Sequence, residues 1–129
     1  MADTIVKLLY RREFFDFEKM RTGARRITVI TNDGKIVGKE YEPGSRKAHT
    51  VRAGECSVEA YQALCRRLAA CIETADRREE YCDDARETLT IYHKYGRIQT
   101  MERGLGNGFV GIGEVMNDFL AEYLPECVG

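Results

Sequence analysis

The sequence predicts an α+β domain: a two-layer sandwich in which an antiparallel sheet of about five or six strands carries two helices on one face. Two stretches, Arg26 to Gly44 around Asp33-Gly34 and Thr88 to Gly106 around Tyr95-Gly96, each place a β-rich run before a turn and a second run after it. Each then leads into a segment with apolar residues at helical spacing. Hairpins joined by helices favour an antiparallel sheet with both helices on the same side.

At 129 residues the chain is expected to form one domain, with units at about 26–75 and 88–124 preceded by N-terminal strands within 4–20. Apolar residues at 43% supply a core, and a net charge of −1 is too small for a disordered polyelectrolyte. Residues 1–64 hold 12 Lys and Arg against 9 Asp and Glu, whereas residues 65–129 hold 8 against 12. With a pI near 6.2, that mild asymmetry argues against a dedicated nucleic-acid binder, whose affinity comes mainly from neutralising phosphates. Cys56, Cys65, Cys71, Cys82 and Cys127 form no CxxC pair, and the start resembles no signal peptide. A reducing cytoplasm is the expected location. No run approaches the roughly 20 apolar residues of a membrane-spanning helix, so no membrane association is expected.

Thr4 to Tyr10 (TIVKLLY) reads as a first strand, and Glu13 to Met20, where Phe15 and Phe17 alternate with Asp16 and Glu18, as a second. Arg21-Thr22-Gly23-Ala24 offers turn chemistry before the strand Arg26 to Asn32. Asp33-Gly34 then closes a hairpin onto Lys35 to Glu42. A two-residue turn would pair Thr31 with Ile36, and a bulged turn would pair Ile30 with Ile36. The second hairpin favours the bulged form, because Tyr95 suits a left-handed position poorly while Gly96 suits it well.

Pro43 to Cys56 carries Arg46, Lys47, His49 and Arg52 and reads as a long basic loop. Ser57 is an N-cap for a helix running to about Thr74, with Tyr61, Leu64, Cys65, Leu68, Ile72 and Ala75 on one stripe. Ala75 to Arg86 is an exposed, charged connection. Gly111 to Leu124 gives the second helix, its stripe being Ile112, Val115, Met116, Phe119, Leu120 and Tyr123, and Pro125 ends it.

Laid over each other at an offset of 62, the two hairpins match Thr28 with Thr90, Gly34 with Gly96, Ile36 with Ile98, Glu40 with Glu102 and Gly44 with Gly106. The order ββα-ββα follows, with or without duplication. The combination of strand-Asp-Gly-strand, a helix opening on Ser57, strand-Tyr-Gly-strand and Gly106-Asn107-Gly108-Phe109 before a last helix resembles small uncharacterised domains of Firmicutes-type bacteria. The resemblance spans most of the chain, though a proline expected near Val110 is missing. It implies the fold and a bacterial setting, and no activity.

Gly106-Asn107-Gly108-Phe109-Val110-Gly111 formally matches GxGxxG between a strand and a helix. Only 18 residues follow Gly111, which leaves no room for the next parallel strand and its ribose-binding acid, so the glycines read as a connector. His49 and His93, with Cys82 as the nucleophile a histidine would activate, do not make a convergent set. Two histidines without clustered Cys or Asp do not give metal-ligand spacing either. The acidic cluster Glu79, Glu80, Asp83, Asp84 lacks the pattern of a calcium loop. Neither catalytic residues, a metal site nor a cofactor is therefore expected.

If Ile27, Val29, Leu89 and Ile91 face the helices, Thr28, Ile30, Thr90 and Tyr92 point to the uncovered face. Ile30, Tyr41, Tyr92 and Met101 then form an expected interaction surface, used for self-association, such as a homodimer, or for a protein partner. The alternative is a small-molecule or anion-binding domain, catalytic or not, built from the basic loop 43–56 (Arg46, Lys47, His49, Arg52) and the glycine-rich segment 104–113 (Gly106, Gly108).

Overall fold

A computed structural model describes residues 4–16, 21–74, 85–104 and 112–124. The strands are β1 (Ile5–Asp16), β2 (Arg21–Thr31), β3 (Lys35–Tyr41), β4 (Thr50–Glu55), β5 (Ala85–His93) and β6 (Ile98–Gly104). Helix α1 (Val58–Thr74) lies between β4 and β5, and α2 (Ile112–Tyr123) follows β6. One antiparallel sheet runs in the order β4-β3-β2-β1-β5-β6, and both helices contribute to a single core on one of its sides. The expected α+β class is what the chain forms.

The registers fix which residues share a side. Leu8 lies opposite Ile30 and Ile91, Ile30 opposite Ile36, and Tyr10 opposite Thr28 and Leu89. All of these are buried together with Tyr61, Leu64 and Leu68 of α1 and Val115, Met116, Phe119 and Leu120 of α2. Burying each large aliphatic side chain contributes about 1.5–3 kcal/mol, so this side holds most of the stability. The Tyr61 hydroxyl donates to the Ile5 carbonyl at 2.9 Å and ties α1 to the first strand. The Ser57 hydroxyl accepts from the Ala60 N–H at 3.0 Å, which is the expected N-cap.

The first hairpin takes the bulged form. Ile30 pairs with Ile36, the Gly34 N–H donates to the Thr31 carbonyl at 2.9 Å, and Gly34 has φ +88°. A Cβ on Gly34 would lie 2.0 Å from the Cys56 carbonyl oxygen, so both the dihedral and the close approach demand glycine.

Four expectations need correction. The two N-terminal strands are one strand, β1, with an irregularity between Glu13 and Phe15. The turn expected at Arg21 to Ala24 is the start of β2, because β1 is long enough to pair that far. The basic loop is half strand: Thr50 to Glu55 pairs with β3 from Glu40–Thr50 to Lys35–Glu55. Charged residues and a glycine disguise β4 as a loop, but an edge strand tolerates both. Its Gly54 is needed because a Cβ there would meet the Tyr123 carbonyl oxygen of α2 at 2.8 Å. Finally, Tyr95 does adopt a left-handed conformation, at φ +72°, with its side chain 94% exposed. The connection 75–84 and Gly111 lie outside the described residues.

Candidate functional site

No described element covers the second side of the sheet, and the registers arrange its residues in rows that cross the strands. A central row runs Ala53–Val37–Val29–Leu9–Thr90–Thr100 across all six strands and carries no charge. One flanking row is Glu55–Lys35–Thr31–Lys7–Tyr92–Ile98, and the other is Val51–Lys39–Ile27–Arg11–Thr88–Glu102. Beyond the second lies Tyr41–Arg25–Glu13–Arg86–Gly104. Val51 and Ile98 are 60% and 59% exposed. An uncharged centre with a charged surround is the layout of a protein interface, where apolar contact is made at the middle and charge is kept at the rim.

Several of the cations are held within the chain. The Lys7 ammonium sits 4.2 Å from the ring centroid of Tyr92, and the Arg25 guanidinium 4.7 Å from that of Tyr41. The Arg11 side chain pairs with Glu13. These contacts follow from cross-strand neighbours, Lys7 with Tyr92 and Arg25 with Tyr41, and they hold the aromatic rings in place on the face.

Of the expected interaction residues, Tyr41 and Tyr92 belong to this open side. Ile30 does not: it is 0% exposed in the helix-side core. The cause is parity, because pairing with Ile36 and Leu8 puts Ile30 inward and its neighbours Ile27 and Val29 outward. The assignment of Ile27 and Val29 to the helix side is overturned with it. Met101 pairs with Leu89, a helix-side position, and its own side chain lies outside the described set. Leu9, Val29 and Val37, the centre of the open face, were not among the sequence candidates. The signal was present: once Ile30 pairs with Ile36 and Ile36 is given to the core, every other assignment in β2 follows.

The expected anion site is not assembled among the described residues. Arg46 and Lys47 are exposed, the His49 imidazole lies 3.9 Å from Glu40, and Arg52 sits on β4 opposite Gly38. Gly106 and Gly108 lie outside the described residues. A different concavity occurs where the two hairpin turns flank the start of β1: an open groove of about 670 Å³ lined by residues that include Lys7, Asp33, Lys35, Tyr92, His93 and Arg97. The His93 Nδ1 atom is buried without a hydrogen-bond partner, while Nε2 lies 3.4 Å from the Gln99 amide oxygen.

On the helix side the core ends in a polar row, Glu40–Arg26–Arg12–Glu87. The Tyr10 hydroxyl donates to Glu87, itself 5% exposed, at 2.5 Å, and Arg26 lies 3.6 Å from Glu40. Burial, reinforced by the Glu87 charge, pushes the Tyr10 phenol far above its ordinary value, so it stays a proton donor at all working pH. The two adjacent guanidinia of this row are flanked on each side by a carboxylate, so its charges sum to zero. Burial also raises the Cys56 and Cys65 thiols, which lowers their thiolate fraction and makes them poor nucleophiles. Among the described residues there is no group of three or more His, Cys, Asp or Glu that could hold a metal, and no helix long and apolar enough to cross a membrane.

No protein-family model matches the chain, and no curated protein is significantly similar to it.

Proposed function

We propose that the chain is a non-catalytic protein-interaction module that works through the open face of its sheet. The observation that supports this reading is the uncharged row Ala53–Val37–Val29–Leu9–Thr90–Thr100, set between charged rows on a side no described element covers. Cys56 and Cys65, which form no disulfide, support placement in a reducing cytoplasm. A charge in the middle of the row is the direct test. The fluorescently labelled native chain should sediment faster in lysate of its source cell than in buffer, and Val29→Lys should abolish that increase while leaving the unfolding midpoint nearly unchanged, because the side chain faces out. Equal sedimentation of the native chain and the variant in that lysate would overturn the reading.

The groove between the hairpin turns supports a second function, binding of an anionic ligand, because the cations Lys7, Lys35 and Arg97 line it against the single carboxylate of Asp33. Titration with inorganic phosphate, followed by amide resonances of residues 32–35 and 93–98, should move both sets together. Unmoved resonances would remove this function.

A further inference from the structure

Resting on the interaction reading, we infer that the occupant of the open face is a second copy of this chain, related by a two-fold axis parallel to the strands and passing between β1 and β2. The sheet order places that axis at the middle of six strands, so β2 of one copy lies over β1 of the other, β3 over β5, and β4 over β6. Positions along the strands are preserved, and each row therefore meets itself reversed.

The pairings that result are self-complementary. In the central row Val29 meets the second copy's Leu9, and Val37 meets Thr90. In the first flanking row Lys35 meets Tyr92 and Lys7 meets Thr31. In the second, Arg11 meets Ile27 and Lys39 meets Thr88. In the outer row Arg25 meets Glu13. No cation position on this face opposes another cation position: Arg25 opposes a carboxylate, and Lys35 and Arg86 oppose the tyrosine positions 92 and 41.

The other face-to-face two-fold, across the strands, superposes the flanking rows and sets Lys35 against Lys39 and Lys7 against Arg11. Charge thus selects one axis of the two. With ~4.8 Å between strands and ~6.8 Å between rows, six strands and four rows span roughly 700 Å² per copy. Both copies together bury about 1,400 Å², within the range of specific interfaces. Two twisted sheets meeting this way pack with their strands nearly aligned, as in a β-sandwich completed between chains.

The experiment is sedimentation equilibrium of the purified full chain and two variants. The native chain should show twice its 14.7 kDa mass at high micromolar concentration. Tyr92→Lys places a cation against Lys35 of the other copy and should weaken association about tenfold or more. Adding Lys35→Glu to that variant sets a carboxylate of one copy against the introduced ammonium of the other and should restore association to within about threefold of native. Lys35 and Tyr92 stand three strands apart in one chain, ~14 Å at ~4.8 Å per strand, so direct pairing of the two introduced charges is expected between copies. Circular dichroism establishes that each variant is folded. A native chain that stays at single mass throughout, or a double variant that stays as weak as Tyr92→Lys, would overturn the inference. The first result combined with a Val29-dependent shift in lysate would leave the interaction module standing with a different partner.

Discussion

The two hairpins of the sheet connect their strands through turns of the same length, and they are mounted with opposite sides toward the helices. Ile30 pairs with Ile36 before the β2–β3 turn, and Tyr92 pairs with Ile98 at the equivalent place before the β5–β6 turn. Ile30 is fully buried, whereas Tyr92 faces the open side. The difference arises at β1, whose Leu8 and Tyr10 meet Ile30 and Thr28 on one flank and Ile91 and Leu89 on the other. A sequence match between hairpins therefore reports the turn and says nothing about which face is wet. Two turns of equal length can carry a core strand and a recognition strand.

Substitutions at matched positions should separate the two. At a concentration where the chain is single, Ile30→Ala should cost about 3 kcal/mol in urea unfolding and Tyr92→Ala under about 1 kcal/mol. Equal losses would mean that the faces had been assigned wrongly. The turn glycines should differ nearly as much. Gly34→Ala combines a left-handed residue with a backbone collision at Cys56 and should cost about 3 kcal/mol. Gly96→Ala, at φ +89° in open space, should cost only about 1 kcal/mol by the same assay.

A smaller effect, of opposite sign, is expected at Tyr95. Tyr95→Asn places a residue tolerant of the left-handed region at φ +72° and should raise stability by about 1 kcal/mol. A loss of stability would show instead that the Tyr95 ring, with Lys94 5.3 Å from its centroid, contributes more than the strain it brings.

The smallest effect is one of pH. The Asp33 carboxylate accepts from the Thr31 hydroxyl and from the Lys35 N–H at 3.2 Å, and these bonds, the hydroxyl's first, hold its pKa below the ordinary carboxylate value. A depressed carboxylate stabilises the fold above its unfolded pKa of about 3.9 and ceases to do so as pH falls through the folded value. The stability gap between native chain and Asp33→Ala should therefore be constant near neutrality and shrink below about pH 4. A gap that persists unchanged at low pH would assign the effect to turn geometry alone.

The elements that read most clearly in the sequence were those with local chemistry of their own. Asp33-Gly34 signals a bulged hairpin and Ser57 a helix start, and each acts within a few residues. The faces of β2 did not read, because Arg26-Ile27-Thr28-Val29-Ile30-Thr31 is apolar on both sides and alternation gives no vote. Only the pairing with Leu8, distant in sequence, decides. Strand β4 was hidden for a related reason: Arg52, Gly54 and Glu55 look like loop residues until β3 offers them a partner and α2 packs against Gly54. The candidate surface was thus half legible: alternation with Leu89 and Ile91 put Tyr92 on the open side, while the aliphatic centre Leu9, Val29 and Val37 did not read.

The place of β1 in the sheet bears on how the chain is made. Within this sheet β1 precedes its neighbours in the chain; it can pair with β2 once that is made, and β3 and β4 extend that meander outward. Its other edge has no partner until residues 85–93 have been added, after the whole of α1. Until then β1 presents an unpaired edge, the kind of surface that draws strand pairing from other chains, and once β5 is made its tether to the same chain favours the intramolecular pairing.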